Sequence, residues 1–371
     1  MPGRAEHVSV IRTIDALESL RDEWNSLSAR FASPFLDHAW FACSAQALHR
    51  ESDLRVIVVR EHGVLCGVAP LVLDRTRGRR LVLLGAGALY EPSGWIFESD
   101  SALERLAVAA TSFGERLVLQ RVPAGTPLCR VFAARVGKRA LTVSRPMSPS
   151  SAVDTRCSWE SFQAGLSARK RTRLCALWER AHREVGRAEI AMLQPTVAEV
   201  DEALDAFVKV EAAGWKGRRG SALALRPDLG RFFRDYCRRA AAGNELRVSI
   251  LTFGSAVAAV EIAVEAHRRW WSLKIAYDER FGSYGPGLQL VHASIRATIE
   301  RGLEAYEFLG AAEPWQQRWK PQHREYRLMA VYPYTARAVL GLGSDVFRFL
   351  LRRLHPAREA AGSIDAGGRE G

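Results

Sequence analysis

The sequence predicts an α/β (α+β) protein of two tandem units, each a mixed, mostly antiparallel sheet flanked by helices. Three features carry that expectation. At 371 residues the chain is long for a single hydrophobic core. Its two halves repeat one order of elements, so that RVIVVREHGVLCGVAPLVL (55–73) lies beside RVSILTFGSAVAAVEIAV (247–264) with strand, turn and strand in step. Within the second copy, residues 257–265 and 270–277 alternate as the arms of a hairpin, with Ala258, Val260, Ile262 and Val264 on one face and Leu273, Ile275 and Tyr277 continuing that face.

Taken in order, residues 8–12 read as a strand and 14–29 as a helix with Leu17, Leu20, Trp24 and Leu27 on one face. Ser33-Pro34 opens a second helix over 35–48, serine as cap and proline in the first turn. Three short strands follow at 54–60, 65–74 and 79–84, turning at His62-Gly63 and Arg77-Gly78. A helix over 103–114, a strand over 116–121, a helix over 127–137 and a strand over 140–144 complete a first unit of residues 1–150.

MSPSSAVD (147–154) has the composition of a linker. A long basic helix over 159–184 follows, and linker and helix together occupy 151–185. Phe162, Leu166, Leu174, Trp178, Ala181 and Val185 form its apolar stripe, against Arg169, Lys170, Arg171, Arg173, Arg180 and Arg183. No aromatic residues interleave with these cations to stack bases, so the basic side reads as a solvated face rather than a nucleic-acid contact.

The second unit, 186–340, begins with a helix over 196–213 that carries a Thr196/Glu199 capping box, then a helix over 228–242. Strands at 246–253, 257–265 and 270–277 lead to a helix with Leu288, Val291, Ile295 and Ile299 at helical spacing, then a strand at 306–309. Residues 341–371 read as a helical run near 346–354 and a glycine-rich tail, 361–371, expected to be disordered.

The formal charge of +12 favours anionic partners without selecting one, and high arginine usage in an Ala-, Gly- and Leu-rich chain also arises from coding bias. No apolar run approaches the roughly 18 residues of a membrane span, and MPGRAEHVSV lacks the apolar core of a secretory signal. The expectation is a cytoplasmic protein without a transmembrane segment. Cys43, Cys66, Cys129, Cys157, Cys175 and Cys237 are scattered, no histidines pair at metal spacing, and no metal site is expected.

Chemistry concentrates around the hairpin. Its second face carries Glu261, Glu265, Trp270, Ser272 and Lys274, and a hairpin symmetric about Ala266-His267-Arg268-Arg269 places Glu261 directly across from Lys274. Beyond it, Gly285-Pro286-Gly287 precedes a helix whose free N–H groups and dipole favour an anion, with Arg280 upstream as an added cation. Glycines at such a bend also serve simply to punctuate.

GWKGRRGSAL (214–223), LRVSILTFGSAVAAVEIAV, LKIAYDERFGSYGPGLQL and EFLGAAEPWQQRWK together resemble the BioF2-like, or CelD-like, acetyltransferases of the GNAT superfamily, relatives of the FemABX peptidyltransferases. The likeness is clear over 158–332 and fainter before it, and SYGPG is what remains of the usual GNAT phosphate signature. It implies acyl-CoA (acetyl-CoA) as co-substrate, with the pyrophosphate on Tyr284, Gly285, Pro286, Gly287 and Leu288. It implies an acceptor entering past Trp215 and Lys216, with Trp315, Trp319 and Lys320 closing the opposite wall. Acyl transfer to an amine needs a base and a donor to the leaving thiolate. Glu261 is the candidate base, with Lys274 as its partner; a structural ion pair is the other reading of the two. Asp278 orients Arg280 or caps the bend, and Tyr277, Tyr284 and Tyr326 are candidate proton donors. In the first copy LGAGALYEPSGW (84–95) replaces the glycine bend, and Pro92 keeps a helix from starting there. That copy is expected to have lost coenzyme and to serve packing or acceptor recognition.

Three functions stand open. The first is an acyl-CoA-dependent N-acyltransferase acting on a small-molecule amine, an amino sugar or a polysaccharide precursor. The second is a FemABX-like transferase that takes its aminoacyl group from tRNA. The third is a non-catalytic interaction protein in cellulose-type polysaccharide biosynthesis.

Overall fold

A computed structural model describes residues 6–76, 78–137, 139–214 and 223–354. The first half runs β1 (Glu6–Ile11), α1 (Ile14–Glu18), α2 (Arg21–Ser28), α3 (His38–Leu48), β2 (Leu54–Glu61), β3 (Val64–Asp74), β4 (Arg80–Leu83), β5 (Ile96–Phe97), α4 (Asp100–Ser112), β6 (Arg116–Pro123), α5 (Leu128–Val131) and β7 (Ala140–Asp154). The second runs α6 (Trp159–Gly165), α7 (Ala168–Glu184), β8 (Ala188–Leu193), α8 (Val200–Ala213), α9 (Pro227–Ala242), β9 (Leu246–Phe253), β10 (Ala256–Ala266), β11 (Arg269–Tyr277), α10 (Pro286–Glu300), β12 (Ala305–Leu309), β13 (Gln322–Pro333) and α11 (Ala336–Leu354).

The strands form one sheet in the order β1-β2-β3-β4-β6-β13-β7-β12-β11-β10-β9-β8, with β5 on β3. It is mixed and mostly antiparallel, as expected: β4 with β6 and β11 with β12 are the parallel pairs. Each parallel pair lies inward of a run of antiparallel strands, so the two halves present the same strand plan from opposite edges. They are joined intimately. β13, from the end of the second half, inserts between β6 and β7. Trp40 of α3 packs edge-on against Phe232 and Tyr236 of α9, with centroids 4.9 and 5.0 Å away, and Arg239 of α9 pairs with Glu18 at 2.5 Å. Each of these buried aromatics removes enough apolar surface from water to contribute about 1.5–3 kcal/mol.

Several expectations are corrected. Residues 147–154 are strand rather than linker: β7 runs on through them, pairing with β13 and then with β12. Proline is tolerated there because Pro149 falls with Ser148 at a register shift against β13, where its missing N–H is not called on to pair. The single helix 159–184 is two, because Ser167 caps a new start by accepting the Lys170 N–H, and Arg171 closes the break by donating to the carbonyls of Gln163 and Leu166. The helix 14–29 likewise divides between α1 and α2. β8 and β13 had not been anticipated. Trp215, Lys216 and the tail 361–371 lie outside the described residues.

The hairpin register also differs from the symmetric one. It is symmetric near the tip, where Ala263 faces Ser272, but a bulge at Leu273 shifts the rest by one residue. Lys274 then faces Ile262, and Glu261 faces Ile275. Because side chains alternate across a strand, that one extra residue moves Lys274 to the other side of the sheet from Glu261. The expected Glu261–Lys274 pair does not form. Among the described residues no helix is long and apolar enough to cross a membrane.

Candidate active site

The site begins where the sheet opens. β11 and β12 pair only from Arg269–Ala305 to Trp271–Glu307, and beyond that the strands part. α10 starts beside this opening after a 3-10 turn over Glu279–Tyr284. Asp278 caps that turn, accepting the Arg280 N–H at 3.0 Å, and pairs with the Arg280 guanidinium at 2.6 Å. Arg280 holds its carboxyl below the usual range. Both sequence-based roles for Asp278, capping and orienting Arg280, are thus met by one geometry.

Gly285 takes the left-handed conformation, φ 61°, that turns the chain into α10. Its N–H donates to the Gly282 carbonyl at 3.0 Å, so it is already engaged. Pro286 has no N–H, which leaves those of Gly287 and Leu288 as first-turn donors without intrahelical partners. A Cβ on Gly287 would lie 3.3 Å from the Tyr277 ring, a tight contact that the ring would have to yield by a few tenths of an ångström to admit. Tyr284 donates to Glu184 at 3.2 Å and lies under Arg180.

Leu288 lines a cavity of about 170 Å³ with Leu166, Lys170, Arg173, Leu174, Arg318 and Trp319. Lys170 donates to the Arg318 carbonyl at 3.1 Å. The floor is apolar and the rim cationic, so the basic helix face that reads as solvated contributes two residues to a pocket. Trp319, expected on the acceptor wall, lines the same cavity as Leu288 of the loop expected to hold phosphate. It is buried, stacks on His292 and has an indole N–H without a partner. Trp315 donates to Glu313 at 2.6 Å and packs on Phe308, while Lys320 is exposed just past the turn.

Glu261 is sealed between the sheet and α10. Ser272 and Tyr306 donate to it at 2.6 and 2.5 Å, and Ser294 of α10 donates as well. Burial raises its pKa against the pull of these hydroxyls. The carboxyl is fully buried and ties α10 to β11 and β12. Lys274 points the other way, its ammonium 4.7 Å from the Phe233 ring. Tyr326 is hydrogen-bonded to Ser150 and lies beneath Arg121. Glu91 and Arg121, from the first half, also reach this region, each bonded to Gly310. The sequence signal for Glu91 is a lone carboxylate in the stretch 84–95, where no helix starts after the glycines. Among the described residues no cluster of metal-ligating side chains occurs.

A family model described as an acetyltransferase (GNAT) domain matches residues 169–317, the span from α7 through the turn after β12. No curated protein matches the sequence. In solved structures the chain resembles the C-terminal domain of a putative lysylphosphatidylglycerol synthetase from Agrobacterium fabrum, at 13% identity and a TM-score of 0.56, covering 89% of this chain and 96% of that one. It also resembles FemX, at 10% identity and 0.57 over 82% and 95% of the two chains. A third is L-PGS from Bacillus licheniformis, at 15% identity and 0.52 over 89% and 96%. The domain model falls on the splayed strands and the helix that starts beside them, and the structural likenesses take in both halves, which gives the chain a GNAT-like fold.

Proposed function

We propose that this protein is an acyl-CoA-dependent N-acyltransferase of the GNAT type that transfers an acyl group to an amine. The observation that supports this best is the cavity beside the start of α10, with its apolar floor of Leu166, Leu174, Leu288 and Trp319 and its cations Lys170, Arg173 and Arg318. A diphosphate suits the first-turn N–H groups and the rim, and a thiol-bearing arm suits the floor and the opening between β11 and β12. Arg280, 77% exposed and paired with Asp278, supplies a further cation near the same turn. The protein supplies positioning and electrostatics, and the thioester supplies the reactive acyl group. A BioF2-like or CelD-like subtype acting on an amino sugar or glycan precursor in the cytoplasm is the finer form of this reading.

Titration calorimetry with acetyl-CoA and longer acyl-CoAs tests it: saturable one-to-one binding by the native protein is expected, with a rise in melting temperature as ligand is added. Absence of binding to every acyl-CoA would remove the reading. One observation favours a tRNA-dependent transferase instead, namely the exposed arginines Arg169, Arg173 and Arg183 along α7. Binding of total tRNA with a steep salt dependence, and none of acyl-CoA, would select that alternative.

A further inference from the structure

We infer that the groove of the first half that abuts Gly310 is the acceptor site for a primary amine, and that Glu91, which lines it, is the base that takes the amine's proton. This rests on the acyl-CoA reading above, which supplies the thioester.

Glu91 reaches from the loop after β4 to the edge of the opening in the second half. Its carboxylate accepts the Gly310 N–H at 3.4 Å, immediately after β12. Lys274, on β11 just past the point where the strands part, attracts the same carboxyl. One carboxyl from the first half is thus bonded to the chain just past β12 and lies in the field of a cation on β11. Gly310 is held from its other side too: Arg121 of β6 donates to its carbonyl at 2.8 Å and to that of Ser148 at 3.1 Å. Arg121 is itself fixed, fully buried between the rings of Tyr90 and Tyr326 at 4.5 and 4.3 Å. In front of Gly310 the space is open, since a Cβ placed there would meet nothing within 4 Å. The groove beside Glu91 is lined by Trp40, Leu89, Tyr90 and Ser93, and the Ser93 hydroxyl is buried without a partner. Glu91 as a residue is partly buried in this groove.

The other carboxylates nearby are committed elsewhere. Glu261 is sealed beneath α10, Asp278 is bound by Arg280, and Glu307 is paired with Arg324 and Arg269. The charged and titratable groups facing Glu91 are Lys274 on β11, Arg121 on β6 and the Tyr326 hydroxyl on β13. Burial pushes the Glu91 carboxyl up to about 7, while Lys274, the Gly310 N–H and Arg121 pull it down. A base poised near neutrality removes a proton from nitrogen and can return it within one turnover.

The reaction balances as follows. The amine nitrogen attacks the thioester carbonyl carbon, and Glu91 accepts a nitrogen-bound proton as the C–N bond forms. The carbonyl re-forms as the C–S bond breaks, and the protonated Glu91 gives its proton to the departing thiolate. The products are an amide and free CoA, with Glu91 again ionised.

The test follows release of CoA thiol from acetyl-CoA by the full-length protein with a panel of primary amines, from pH 5 to 9, for wild type, Glu91→Gln and Lys274→Met. Calorimetry with acetyl-CoA and isotope-edited infrared titration of the carboxylates run alongside. The expected result is a kcat for Glu91→Gln at least 100-fold lower, with unchanged KM and Kd for acetyl-CoA and a melting temperature no lower than that of wild type. The acid limb near pH 7 should be absent, and Lys274→Met should move the wild-type limb to higher pH. A Glu91→Gln enzyme within threefold of wild type with the same acid limb overturns the proposal. If no amine in the panel reacts, the infrared titration decides: a Glu91 carboxyl that ionises near pH 4 overturns the assignment, and one that ionises near 7 and rises in Lys274→Met supports it. Failure of acetyl-CoA to bind the wild type overturns the acyl-CoA reading instead, and is seen separately in the calorimetry.

Discussion

Lys274 faces Ile262 across the β10–β11 hairpin, one position away from Glu261, because Leu273 has no partner on β10. That bulge divides between the two faces of the sheet a carboxylate and an ammonium that a regular hairpin would join. Glu261 turns inward to the hydroxyls of Ser272, Ser294 and Tyr306, and Lys274 lies against the Phe233 ring, where its charge favours the ionised Glu91 carboxyl. Two carboxyls are thereby raised by burial, Glu261 and Glu91, and access separates their roles. The inner one fixes the helix, and the outer one borders the groove.

Glu261 is therefore expected to matter for stability. Glu261→Ala removes the acceptor shared by three buried hydroxyls and leaves a void, which should cost about 2–4 kcal/mol in urea unfolding. Glu261→Gln keeps the shape and one acceptor oxygen and should cost less. An alanine variant as stable as wild type would show that the hydroxyls find other partners.

Much of the fold was legible because its signals are local. Alternation located β9, β10 and β11, and the Thr196/Glu199 capping box that starts the turn before α8 is present. What escaped depends on contacts distant in sequence. β13 becomes a strand by inserting between β6 and β7, and residues 147–154 become one by pairing with β13 and β12. The bulge at Leu273 leaves no mark in the alternation, since Leu273, Lys274 and Ile275 read equally well in either register. For the candidate site, the glycine bend was found from composition, whereas Glu91 meets Gly310 across 219 residues of chain, a separation that no periodicity reveals.

Gly287→Val tests what the glycine is for. A Cβ there meets the Tyr277 ring at 3.3 Å, and a β-branched side chain adds bulk at the start of α10. Overpacking of this kind should cost about 1–3 kcal/mol of stability. Tyr277→Leu should restore part of that loss in the double variant, because the two changes act on one contact. Strictly additive losses would mean that the strain lies in the backbone rather than against the ring.

The cations around the Leu288 cavity should divide from those along the rest of α7. Lys170→Ala and Arg173→Ala are each expected to weaken acetyl-CoA binding about 5- to 10-fold, roughly 1 kcal/mol, and less at high salt. Arg183→Ala, which lies outside the cavity, should leave that affinity unchanged. A loss of tRNA binding in Arg183→Ala with no acyl-CoA effect in Lys170→Ala would favour the tRNA-dependent reading.

Glu91 should also leave a signature in the pH dependence of folding. Its carboxyl is raised to about 7 in the native state by burial, against about 4.3 in an unfolded chain. The native state thus holds the proton more tightly, so below pH 4 both states are protonated and no penalty applies. As pH rises from about 4.3 to 7 the unfolded state releases its proton first, and this group lowers stability progressively over that window. The full penalty, at most about 4 kcal/mol and smaller where solvent reaches the side chain, is in place above pH 7. Urea unfolding of wild type and Glu91→Gln at pH 4, 5.5 and 7.5 should therefore give a difference that grows in favour of the glutamine variant as pH rises. Lys274→Met should steepen the wild-type decline, because it removes a cation that favours the ionised form. Parallel curves for wild type and Glu91→Gln across the window would mean that Glu91 ionises in the native state as freely as in the unfolded chain, and that the carboxyl is hydrated.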